Sequence, residues 1–228
     1  MRVLYLIPAR GGSKGIPHKN IKEFAEKPLI NYSIDVVRKL ATDSKICVST
    51  DDDEIINVVE SLGLKVPFKR PNYLASDTAT SSDVIVHALK WYETNGVTYD
   101  TVVLLQPTSP LRRLQDIKDC LESYNDSLDM VTTVKKSYVS AVLCNEDESG
   151  YLQMTFGKSG VRSQDAKELY EYNGAVYVIN AKAVLEKGLG GFTKIKKYVM
   201  TEINSLDIDT MIDWYMVESL LEKKVVEL

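Results

Sequence analysis

Nowhere in the 228 residues does an apolar run approach the ~20 needed to cross a bilayer. The opening segment, MRVLYLIPARGG, has an apolar stretch too short for a secretory signal, and it ends in a basic glycine turn instead of a cleavage site. Cysteine is scarce: Cys47, Cys120 and Cys144 are odd in number, far apart and without any CxxC pairing. They suggest neither a disulfide framework nor a zinc site, and read as reduced thiols in a cytoplasmic protein. Long basic stripes are absent too, with 28 basic residues against 32 acidic ones. The net charge of −4 argues against nucleic acid as the main partner, while leaving room for local phosphate-binding clusters. Histidine occurs only as His18 and His87; both are expected to be structural, and neither is assigned as a general base.

What is present is an alternation of short aliphatic runs with helical patterns, which predicts an α/β fold with a mostly parallel sheet. Residues 3–7 read as a first strand, followed by a polar loop over 8–20. Pro28 stands at the first turn of a helix carrying Leu29, Ile30, Ile34, Val37 and Leu40 at helical spacing. Residues 46–49 form a second strand, and Asp51 or Asp52 caps the helix holding Ile55, Val58, Val59 and Leu62. Ser81 or Ser82 opens another helix through Trp91, and residues 101–105 form a strand that stops at the turn between Pro107 and Pro110. Residues 175–179 form a further core strand, and a last helix begins after Asp209. Between them, 134–171 reads as an insertion too short to bury a core alone, so the chain is expected to be one domain over 1–228.

The first strand runs directly into ARGGSKGIPHKN, where Arg10, Lys14 and Lys19 gather positive charge beside three glycines with no acid among them. Glycines let the backbone approach a polyphosphate, and the cations neutralise its oxygens. The plain alternative is a solvated basic turn. A Walker A loop is excluded because Ile16 and Pro17 follow the last glycine, and the GxGxxG fingerprint is not supplied. Gln106 ends an apolar strand, where side chains emerge at the ligand-bearing edge of such a sheet. Asp207 and Asp209 are one residue apart; in extended backbone both carboxylates share a face while Ile208 turns to the core. Two hard oxygen donors there suit Mg²⁺ on a nucleotide, although Asp209 could equally cap the last helix.

RGGSKGIPHKN, RPNYLASDTATSSDVIVHAL, LLQPTSPLR, YNGAVYVIN and SLDIDT together resemble the acylneuraminate cytidylyltransferases, the CMP-sialic acid synthetases, in that family's order and approximate spacing. The resemblance implies a Rossmann-like nucleotidyltransferase fold with a small dimerisation insertion at 134–171, and a homodimer. It implies that Arg10, Ser13, Lys14 and Lys19 hold the phosphates of CTP, that Asn20 reads the cytosine edge, and that Arg70 and Ser81 complete the nucleotide pocket. For Ser81 a helix N-cap is the competing reading. Gln106, Tyr177 and Phe192 would line the acid-sugar pocket, Arg162 would reach into the neighbouring subunit, and Asp207 with Asp209 would bind Mg²⁺. The implied reaction is attack by the sugar's anomeric hydroxyl on the α-phosphorus of CTP, aided by Arg10, Lys14, Lys19 and the metal at Asp209. Legionaminic acid, pseudaminic acid and the eight-carbon acid Kdo are alternative acceptors, and a non-catalytic CTP-binding protein is an alternative of another kind. The chain departs from the family at Lys135 to Val139, at Ala166-Lys167 and at Glu171. All three departures fall where the family recognises the acid sugar.

Overall fold

A computed structural model describes residues 1–13, 15–137, 143–146, 148–149, 151–156 and 168–226, giving only the backbone of 143–146 and 152–156. The strands are β1 (Val3–Pro8), β2 (Glu23–Phe24), β3 (Lys27–Pro28), β4 (Ile46–Ser49), β5 (Thr101–Leu104), β6 (Met130–Ser137), β7 (Leu143–Glu146), β8 (Leu152–Phe156), β9 (Leu169–Asn180) and β10 (Ile195–Val199). The helices are α1 (Leu29–Arg38), α2 (Asp53–Ser61), α3 (Ser81–Thr94), α4 (Leu114–Ser123), α5 (Ala181–Lys187) and α6 (Met211–Glu222). Six strands form the central sheet in the order β10-β6-β9-β5-β1-β4. All run parallel except β9, which is antiparallel to both of its neighbours. The predicted α/β class and mostly parallel sheet are therefore found.

Alternation along the strands explains the layering, because a sheet buried on both faces needs apolar residues at every position. Tyr5 and Ile7 of β1 turn to one face, where they pack with Ile30 and Ile34 of α1, Ile55 and Val59 of α2, and Ile117 of α4. Leu4 and Leu6 turn to the other, against Ile85 and Leu89 of α3 and Val184 of α5. A third cluster lies to one side: Trp214 and Val217 of α6 cover Phe24, Leu29, Ile16 and Ile208. This cluster fastens the polar loop after β1 to the chain's last helix. Cys47 and Cys120 are buried free thiols, and burial pushes both up to about 12. Among the described residues no helix is long and apolar enough to cross a membrane.

Two predicted caps shift by one residue. Helix α3 is capped by Thr80, which exchanges hydrogen bonds with Asp83, so Ser81 is its first helical residue and not the cap. Helix α6 is capped by Thr210 in the same way with Asp213, which frees the Asp209 carboxylate from that duty. Asp52, by contrast, caps α2 as one of the two expected candidates, accepting from the amides of Glu54 and Ile55. Much of the expected insertion at 134–171 lies outside the described residues. At its ends β6 runs on to Ser137 and β9 starts at Leu169, both strands of the central sheet, while β7 and β8 pair with each other in a sheet of their own. Lys135 and Glu171 face each other across that extension and form an ion pair at 3.2 Å.

Candidate active site

Parallel strands end together, and beyond the C-terminal ends of β1 and β5 the chain meets the segment from Arg70 to Val84 in a cleft of about 350 Å³. Arg10, Arg70, Ser81 and Gln106 all line it, four predicted site residues drawn from four separate segments. Arg10 donates to Asp77 at 3.1 Å. Arg70 is buried, donating through Nη2 to Asp51 at 3.3 Å, and its Nε has no hydrogen-bond partner among the described residues. Burial holds the Arg70 guanidinium below its ordinary value against the upward pull of Asp51, and the charge of Arg10 lowers it further. Two guanidiniums beside an open cleft are suited to an anion, whose charge would offset the burden that burial and Arg10 place on Arg70.

The backbone of the loop is braced from below. The Gly11 amide donates to Asp51 at 3.3 Å, the same carboxylate oxygen that Arg70 meets. Glycine is required at position 11, since a Cβ there would lie 2.1 Å from Asp52 Oδ2. Gly15 is still more constrained, because its Cβ would fall 2.2 Å from the backbone oxygen of Asp209. The basic loop thus touches the acidic segment directly. Ser13 lies between them, its amide bonded to the Gly11 carbonyl at 2.9 Å. Lys14 lies outside the described residues.

Lys19 makes the second connection. Its buried Nζ donates to the Ile208 carbonyl at 2.6 Å and to Asp209 Oδ1 at 3.0 Å. Asn20, also buried, donates through Nδ2 to the Arg10 carbonyl at 3.1 Å, so one of its two amide donors holds the loop. Ile208 is fully buried, as the one-residue spacing required, and its amide donates to the Thr108 carbonyl at 2.8 Å. Asp207 accepts from Ser109 Oγ at 3.4 Å, and its pKa is raised, first by burial and then by the charge of Asp209. The two carboxylates are therefore close enough to repel. Among the described residues no third His, Cys, Asp or Glu joins them in a metal-binding cluster.

Tyr177 is half-buried near Asp207, whose charge adds to burial in raising the phenol, and its ring centroid lies 6.4 Å from that of Tyr172. Gly174 packs against the side-chain amide of Gln106, with φ of +74°, which favours glycine. Asn173 braces this bend: it donates to Ser205 at 2.9 Å and accepts from Thr133 at 2.6 Å, tying β9 to β6 and to the turn before Asp207. Phe192 stands elsewhere. It is buried in the core with Ala183 and Val184, under Lys187, and is not among the residues that line the cleft. Arg162 lies outside the described residues. His18 is exposed, with Nδ1 3.2 Å from Glu54, while His87 packs edge-on against Phe68.

Reading the sequence missed three residues. In the sequence Asp51 reads as a helix cap, and Asp77 stands in RPNYLASDTATS with no role of its own. Arg112 followed a turn and gave no signal of burial, yet it is among the most enclosed charges in the molecule.

Comparison with known proteins agrees with this geometry. A sequence model of the family described as Cytidylyltransferase matches residues 4–200. The CMP-N,N'-diacetyllegionaminic acid synthase of Legionella pneumophila is 33% identical over 226 residues, covering 97% of each chain. The pseudaminic acid cytidylyltransferase of Campylobacter jejuni is 35% identical, with 93% of each chain covered. The N-acylneuraminate cytidylyltransferase of Streptococcus agalactiae is 35% identical over 94% of this chain, which spans 52% of that relative. In fold, the chain is similar to a CMP:2-keto-3-deoxy-manno-octonic acid synthetase solved with CTP. The TM-score is 0.73 at 18% identity, with 98% of this chain and 100% of the other covered. With the basic glycine loop, the paired carboxylates and the mostly parallel sheet in one arrangement, and with relatives matched along nearly the whole length, this chain belongs to the cytidylyltransferase family.

Proposed function

We propose that this chain transfers the cytidylyl group of CTP to the anomeric hydroxyl of an acidic nine-carbon sugar of the N-acylneuraminate type. The hydroxyl oxygen bonds to the α-phosphorus, the bond from that phosphorus to the bridging oxygen breaks, pyrophosphate leaves, and the hydroxyl proton passes to solvent. The observation that carries the reading is the convergence of Arg10, Arg70, Ser81 and Gln106 on one cleft, joined through the loop to Asp207 and Asp209. Arg10 and Arg70 bind phosphate charge, with Lys14 and Lys19 assisting, and Asn20 faces the cytosine edge. Gln106 and Tyr177 face the sugar. Positioning and charge neutralisation account for most of the rate in this chemistry, which asks little covalent work of the protein.

Asp207 and Asp209 would hold Mg²⁺. The fit rests on two neighbouring carboxylates, of which Asp207 is raised by burial and further by the charge of Asp209, a repulsion that a cation relieves, and Mg²⁺ commonly binds through one or two carboxylates plus substrate phosphates. When bound, Mg²⁺ supplies neutralisation of the charge that builds on the departing pyrophosphate. The chain acts as a cytoplasmic homodimer, with Arg162 reaching the partner's site from the segment between β6 and β9.

Legionaminic and pseudaminic acids are the second reading of the acceptor, favoured by relatives named for those sugars. A pyrophosphate-release assay with CTP, Mg²⁺ and N-acetylneuraminate, legionaminic acid, pseudaminic acid or Kdo separates the choices. A CMP-sugar should form with one of the nine-carbon acids, and other nucleoside triphosphates should serve poorly. Equal use of ATP or GTP sinks the cytidylyl assignment, and CTP binding without turnover on any acid leaves a CTP-binding protein.

A further inference from the structure

Arg112 carries a buried charge that none of the chemistry above uses. The residue is 5% exposed, and among the described residues its guanidinium meets only neutral acceptors: the carbonyls of Gln106 at 3.1 Å and Ala175 at 2.8 Å through Nη1, and Ser33 Oγ at 2.7 Å through Nη2. Its Nε has no partner among the described residues. The nearby Asp116 is engaged instead by Arg113 at 2.7 Å. Burial brings Arg112 down to about 10. A cation held in the interior without a carboxylate is costly, and an apolar chain of similar length would often be as stable or more so.

Where the acceptors sit is informative. Gln106 stands just past β5, where its side chain lines the cleft. Ala175 follows Gly174, against which the Gln106 amide packs, with Oε1 3.8 Å from where a Cβ would stand. One nitrogen therefore clamps the backbone beneath Gln106 and the backbone of the bend beside it, while the other anchors both to α1. From this geometry we infer that Arg112 is a positioning residue, which fixes the Gln106 amide in the orientation that receives the acid sugar. The inference rests on the proposed reaction, in which Gln106 faces the acceptor.

The test compares Arg112→Met and Arg112→Lys with the wild type in kcat, KM for the acid sugar, KM for CTP, and melting temperature. Arg112→Met should melt no lower than the wild type, yet raise the sugar KM ~10-fold or more while the CTP KM stays within ~2-fold. Arg112→Lys, with one ammonium in place of the fork, should fall between them. Wild-type sugar KM in either soluble variant overturns the inference, and so does an equal rise in both KM values. Should Arg112→Met not fold, the sugar-to-CTP split in Arg112→Lys decides alone. Wild-type turnover, measured first, keeps the two ideas apart: without it the proposed reaction fails, and with it any failure of the split falls on Arg112.

Discussion

Asp207 shows how a single side chain can be held at odds with the stability of its own fold. Its pKa lies above the usual 3.8 because burial, and after it the Asp209 charge, disfavours the ionised form. The folded chain therefore holds this proton more tightly than the unfolded one. Stability contributed by the group falls as pH rises from 3.8 through the raised value, and the penalty stays in full above it. Asp207→Asn removes the charge and keeps the shape, so its melting temperature near pH ~7 should exceed that of the wild type. The gain should shrink to nothing toward pH ~4, while turnover is lost at every pH. Thermal melts across that range check it, and a variant less stable than wild type at neutral pH would refute the account. The spacing of the two acids was legible in the sequence. The burial of one and the exposure of the other were not, because they depend on Ser109 and Thr108, which arrive from a distant turn.

At the scale of elements, the caps separate chemistry from folding. Since Thr210 and Asp213 complete the start of α6, Asp209→Asn should leave the melting temperature nearly unchanged while turnover falls about 100-fold, equivalent to about 2.7 kcal/mol. Thr210→Ala should do the reverse, losing about 1 kcal/mol of stability with most turnover per folded molecule retained. Matching losses in both variants, in both quantities, would return Asp209 to a capping role. Strands β1, β4 and β5 were legible because a continuous aliphatic run bounded by polar turns is what a doubly covered strand requires. The reversal of β9 was not, since residue period carries no direction. Its early start at Leu169 was hidden too, because the charged residues Glu168 and Glu171 read as loop until Lys136 and Lys135 are seen to pair with them.

For the whole molecule, the proposed exchange of Arg162 between subunits makes a demand that a monomer cannot meet. Arg162→Ala and Asp209→Asn, each inactive alone, should complement when co-expressed. In a mixed dimer one site collects both lesions and the other neither. Random pairing makes about half the dimers mixed, so recovered activity should approach ~25% of wild type. A tagged, purified heterodimer no more active than the single variants refutes exchange, and a monomer by light scattering refutes it sooner.

The contact of Gly15 with the Asp209 backbone, and the grip of Lys19 on Ile208 and Asp209, also fix when the protein acquires its chemistry. A ribosome that has delivered Val199 has supplied every strand of the central sheet, yet neither carboxylate. Domains begin to organise during synthesis, so the frame can gather while the basic loop still lacks its acidic counterpart. On the proposed roles of these residues, a nascent chain at that stage exposes a cluster of cations suited to CTP without the carboxylates that would complete the site. Catalytic competence would then be timed to the emergence of the segment that leads into α6, after the architecture that supports it has been made.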